Sequence, residues 1–145
     1  MKSLNLLTLI AIVLAGAAFA HTGVKNAAVK ARMDAMSGIA DGMKVLGQMA
    51  KGETGFDQSA AQAAATAIAR HAAATPELFE AREDDPKSEA KQAIWSNFDD
   101  FTSKSRDLEE MALGLATSIT GPADLGPAMA SLAANCKACH KAYRE

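Results

Sequence analysis

Only two cysteines occur in this 145-residue chain, and both lie in the stretch "ANCKACHKAYRE". Cys136, Cys139 and the adjacent His140 form a C-x-x-C-H motif, the attachment signature of c-type haem. Thiols three residues apart on a helix share one face. Each can therefore add to one vinyl group of a single porphyrin, while the next residue's imidazole reaches the iron. Rival chemistries fit less well. A zinc site needs about four ligands, and beyond this cluster the chain holds only His21 and His71. A thioredoxin-like redox pair needs a βαβ setting. A disulfide between Cys136 and Cys139 would close a tiny loop and join nothing distant. The expected cofactor is thus one covalent haem c per chain, held through Cys136 and Cys139, with His140 as proximal iron ligand.

Such a motif needs a scaffold, and the surrounding pattern is helical. Met36, Ile39, Met43, Leu46 and Ala50 step by three and four residues. So do Ile94, Phe98, Phe101, Ser105, Leu108, Ala112, Leu115 and Ile119, and again Leu125, Met129, Leu132, Cys136, Cys139 and Tyr143. Breaker clusters separate the stripes: "KGETGF", the loop "TPELFEAREDDPKSE", and Gly121-Pro122. The expected helices run from after "HTG" to about Ala50, from Asp57 to Thr75 with closure at Pro76, from Lys87 to Thr120, and from Asp124 almost to Glu145. Seams of this kind belong to helices packed at the shallow angle of bundles. The fold class is all-α, an antiparallel four-helix bundle with short loops. Its last seam turns both cysteines toward the core, where bundles build cofactor sites. Gly38, Gly42 and Gly47 inside the first helix suggest close approach by something bulky or by another helix.

Haem brings two propionates, so cations belong on the site's rim. Arg32 sits one turn before Met36 on an apolar stripe, and Arg144 follows His140 by four residues on the same face. Both are candidates for cofactor contact. The alternatives are an Arg32 that snorkels to solvent over a buried stem and a solvated Arg144. Residues 1–20 have the layout of a cleaved export leader: Lys2, an apolar run, then Ala18-Phe19-Ala20. The run is shorter than the ~20 apolar residues of a spanning helix, and no other segment is long enough. Residues 21–145 would form the mature, exported domain. Basic and acidic residues number 15 and 17, a formal net charge of −2, which argues against nucleic acid as a partner.

At the level of whole segments the chain resembles the class II c-type cytochromes, the cytochromes c′ and their low-spin relatives. "CKACHKAYR" is similar to that family's C-x-A-C-H-x-x-Y/F-R element, and "AVKARMDAM" to its helix-one arginine element. "KGETGFD" resembles its turn into helix two, and "AIWSNFDDF" its helix-three segment. The resemblance implies Arg32 near the propionates, Arg144 beside the proximal histidine, and homodimers through helix one and its neighbour.

It also makes Met36 the position facing the distal side of the haem. In the low-spin relatives a methionine there is the sixth iron ligand of an electron carrier. In five-coordinate cytochromes c′ the residue only crowds that site, and nitric oxide or carbon monoxide binds. "MKVLG" looks closer to the low-spin pattern; the alternative is a Met36 that merely fills the core. The expected function is one-electron transfer between periplasmic redox proteins, with diatomic gas binding as the alternative. No catalytic constellation stands out, so an enzyme is not expected. Trp95 and Phe98 are expected against haem or core, Tyr143 at the haem edge or idle at the surface, and His71 partly exposed at the surface, with iron ligation in place of Met36 as its alternative. "EAREDD" reads as a solvated loop.

Overall fold

The computed structural model describes residues 23–145; the expected leader of residues 1–20 and His21 lie outside the described residues. Five helices follow in order: α1 Ala27–Ala50, α2 Gln58–Leu78, the single turn α3 Ala93–Ser96, α4 Phe98–Ser118 and α5 Leu125–Tyr143. A 3-10 turn, Pro122–Asp124, leads into α5. No strand is present among the described residues; one isolated bridge pairs Ala90 with Arg144.

Local chemistry starts the first two helices. The Asn26 side-chain oxygen accepts from the N–H groups of Ala28 and Val29 at 2.9 and 3.1 Å, and that of Asp57 accepts from Ala60 at 2.9 Å. Both satisfy donors that a helix start leaves open. Gly52 takes a positive φ of 71° just past α1, a conformation costly for other residues.

The four long helices alternate in direction. Ser105 near the start of α4 touches Ala72 near the end of α2, and Gln62 near the start of α2 bonds to Ile119 just past α4. Gly47 late in α1 meets Met129 early in α5. The main core lies between them, with Leu46, Ile68, Leu125 and Leu132 fully buried. A second apolar cluster, the aromatics Phe79, Phe101 and Tyr143 with Ile94, closes the end that holds Cys139.

Small residues set the spacing. α2 buries Ala61, Ala64, Ala65, Ala69 and Ala72, so α1 and α4 both pack closely on it. A Cβ on Gly42 would stand 2.6 Å from Ile68 Cγ1 and 3.0 Å from the Ala64 carbonyl, and one on Gly38 2.2 Å from His71 Nε2. The bulky neighbour these glycines admit is α2 of the same chain. By contrast α5 packs less closely on α1 and α4.

Two helix boundaries differ from expectation. α2 does not close at Pro76 but continues to Leu78. A proline cannot donate to the carbonyl four residues back. Here Ser105 Oγ donates to that carbonyl, Ala72 O, at 2.8 Å, while Thr75 Oγ1 donates to His71 O. The third helix does not begin at Lys87. Ala90 is bridged to Arg144 and the Lys91 N–H donates to the Tyr143 carbonyl, so the backbone there pairs with the end of the chain and the helix starts only at Ala93. The helix then breaks at Asn97, with φ −135° and ψ 47°.

Candidate functional site

The gap beside α5 is a cavity of about 610 Å³. α1 contributes Arg32, Met33, Met36, Ile39 and Met43; α4 contributes Phe101, Lys104, Ser105 and Leu108. Asn135, Cys136, Cys139, His140, Tyr143 and Arg144 line it from α5 and its end, and Ser88, Glu89 and Ala90 from the extended loop. All six site residues expected from the sequence (Arg32, Met36, Cys136, Cys139, His140 and Arg144) therefore border one cavity. The volume lies within the ~300–1,000 Å³ common for ligand and cofactor sites.

Cys136 and Cys139 are half-buried, in no disulfide, and separated by one turn of α5. Burial pushes both thiols above the ordinary cysteine value, more than nearby Lys104 pulls Cys139 back. Burial is also the main influence that lowers His140; Arg144 adds to it and Glu89 opposes it. A neutral imidazole, the form that can ligate a metal, is thereby favoured. Among the described residues no group of three or more His, Cys, Asp or Glu side chains could hold a bare metal ion.

Arg32 is 3% exposed, so its head does not reach solvent. Its Nε, Nη1 and Nη2 donate to the carbonyls of Leu78, Glu83 and Ala81 at 2.9, 2.8 and 2.6 Å. The guanidinium also lies over Phe79 and Trp95, 4.7 and 5.5 Å from the ring centroids. Burial lowers its pKa, against the pull of Glu83 and Asp84. Arg144 is exposed and donates from Nε to Glu89 Oε2 at 2.6 Å.

The flanking aromatics divide. Tyr143 is buried, with its ring edge-on to Phe101 at 5.5 Å and its hydroxyl donating to Asp100. It is neither exposed nor idle. Trp95 and Phe98 do not line the cavity; Trp95 Nε1 donates to the Phe79 carbonyl at 2.8 Å, and Phe98 packs on Phe101. His71 is half-buried against Gly38, away from the cavity.

Two loop acids were not legible as positioned groups. Asp85, within the supposedly solvated "EAREDD", is buried. Its carboxylate accepts from the Lys25, Asn26 and Lys87 N–H groups at 2.8, 3.0 and 2.9 Å, bonds that hold its pKa down. Glu89 borders the cavity because the loop is paired with the end of the chain. Apart from the Lys87 N–H two residues on from Asp85, the partners of these acids lie about 55–60 residues away, which the local sequence does not mark.

A helical bundle with a partly apolar cavity and two unpaired thiols on one helix face defines the class of covalent haem proteins. Comparison with known proteins agrees: residues 27–144 match the family described as Cytochrome C', and the chain belongs to it. It is 35% identical over 145 residues to cytochrome c-556 of Agrobacterium fabrum, covering 99% of this chain and 95% of that one. It is 34% identical over 123 residues to cytochrome c′ of Pararhodospirillum photometricum, covering 83% of this chain and 98% of that one. Among solved structures, cytochrome c′ from Rhodopseudomonas palustris superposes with a TM-score of 0.77 at 26% identity, covering 83% and 98% of the two chains. This is a haem-binding cytochrome, and its cofactor is covalently attached haem c.

Proposed function

We propose that this chain is an exported one-electron carrier whose haem is tethered by Cys136 and Cys139, with His140 and Met36 as axial ligands. The observation that carries this reading is the arrangement of the cavity walls. α5 brings both cysteines and His140 to one wall, and α1 brings Met36 to another. A group pinned by its edge to α5 has α1 across from it.

The haem supplies the reversible iron oxidation, and the protein sets its surroundings. Cys136 and Cys139 fix the position of the ring edge. His140, whose pKa is held below the ordinary imidazole value, would offer a lone pair to iron. Met36 offers a soft thioether, which favours the reduced metal and raises the potential. Ile39, Phe101 and Leu108 exclude water and keep the dielectric low, which limits reorganisation when charge changes. Arg32 has two N–H groups beyond those donated to carbonyls; at the cavity wall they suit a propionate. The export leader of residues 1–20 supports a periplasmic address, where haem is attached and redox partners wait. The role is that of a carrier rather than an enzyme. No helix among the described residues is long and apolar enough to cross a membrane.

A second reading, an open distal site for nitric oxide or carbon monoxide, draws on the apolar distal wall. Met33, Met36, Ile39 and Met43 line it, and the Thr75 and Ser105 hydroxyls there are donated to backbone carbonyls. Ferric spectra divide the two. A low-spin spectrum that turns high-spin in Met36→Ala supports ligation by Met36. A high-spin spectrum unchanged by that substitution defeats the carrier reading in its Met-ligated form. The homodimer implied by resemblance is tested by sedimentation; Gly38 and Gly42 are already occupied by α2.

A further inference from the structure

The loop before α3 and the end of α5 are zipped together. Ala90 bridges Arg144, the Lys91 N–H donates to the Tyr143 carbonyl at 3.0 Å, and the Glu145 N–H donates to the Glu89 carbonyl at 2.9 Å. This backbone pairing fixes where the Glu89 side chain stands. Its carboxylate holds Arg144 through two guanidinium nitrogens. Both nitrogens meet the same oxygen, Oε2, and the pair stands at the exposed edge of the cavity, where solvent screens it in part. Glu89, His140 and Arg144 all line the same cavity.

From this geometry we infer that Glu89 is a positioning residue for redox function: it neutralises Arg144 beside the His140 face and so sets the reduction potential. The inference rests on the proposed ligation of haem iron by His140. An isolated guanidinium beside that face would favour the ferrous form, which carries one positive charge fewer. The Glu89 carboxylate opposes that field. The sequence offers no sign of the pairing, because Glu89 and Arg144 are 55 residues apart.

The test is the midpoint potential of purified holoprotein, with covalent haem checked by pyridine haemochrome after acid-acetone extraction. Glu89→Gln keeps the side chain's size and a hydrogen-bond acceptor but removes the charge. It is expected to raise the potential, seen as a several-fold larger ferrous fraction at fixed redox poise. Arg144→Gln is expected to lower it, and the double variant to return close to wild type. A purely structural role would move thermal stability without opposite potential shifts. Haem-loaded Glu89→Gln with an unchanged or lowered potential overturns the inference alone. If Glu89→Gln cannot be recovered with haem, Arg144→Gln decides: an unchanged or raised potential overturns it. Wild-type protein without covalent haem overturns this inference and the proposed function together.

Discussion

Replacing Arg32 with methionine keeps the buried stem and removes the guanidinium. Three carbonyls then lose a charged donor: Leu78, Ala81 and Glu83. Hydrogen bonds to charged groups contribute about 1.5–3 kcal/mol each when both partners are buried. Ala81 and Glu83 are exposed, so water replaces much of what they lose, whereas half-buried Leu78 is less easily rehydrated. The stacks on Phe79 and Trp95 add about 0.5–1 kcal/mol apiece. Against this, the variant no longer buries a cation, whose pKa depression records that cost. A net loss of about 3 kcal/mol follows, or roughly 10 °C in Tm for a domain of this size. Thermal unfolding of the holoprotein by circular dichroism measures it, with amide exchange of residues 79–91 as the local readout. A drop of less than about 3 °C with unchanged exchange in that loop would refute the reasoning.

Other perturbations have equally definite outcomes. Gly42→Ala forces α1 off the Ala64 carbonyl and Ile68, costing about 1–3 kcal/mol by denaturant titration. Gly47→Ala, whose Cβ would meet only Met129 Cε at 3.4 Å, is neutral or gains up to about 1 kcal/mol from helix propensity. Ser105→Ala strands the buried Ala72 carbonyl below Pro76 and costs about 1–3 kcal/mol in the same assay. Burial and Asp100 push the Tyr143 phenol up to about 12, above its usual ~10. A raised folded-state pKa gives stability that is complete below about pH 10 and lost as pH rises through about 12. Tyr143→Phe should flatten that alkaline limb in pH-dependent unfolding. Asp57, Asp85 and Asp124 are held low by backbone N–H groups, so their contribution is present above about pH 4 and lost on acidification; Asp85→Asn should weaken that acid limb.

The seams that repeat every three and four residues were legible because burial imposes the helical period directly on residue type. Leu46, Ile94, Phe101, Leu108 and Leu132 are buried where that period puts them. Ala50, the last position of the first stripe, is exposed because the helix ends there. The helical period of the first stripe put Arg32 and Met36 on the cavity side of α1, whereas Arg144 lies past the end of α5 in extended backbone, bridged to Ala90, and not on the helix face expected from its spacing to His140. What escaped depends on backbone atoms or on distant partners. Pro76 marked a helix end until Ser105 of another helix answered for its missing donor. Arg32 looked like a rim cation, yet its bonds run to loop carbonyls 46 to 51 residues away. Asp85 looked solvated within an acidic run, yet its partners are N–H groups, which side-chain type does not reveal.

The most direct measurement is the intact mass, under denaturing conditions, of the protein recovered from the periplasm. A polypeptide beginning after Ala20 and heavier by one haem is expected, with the addition lost in a Cys136→Ala, Cys139→Ala double variant. A wild-type mass equal to that of the bare polypeptide would contradict a porphyrin tethered to α5.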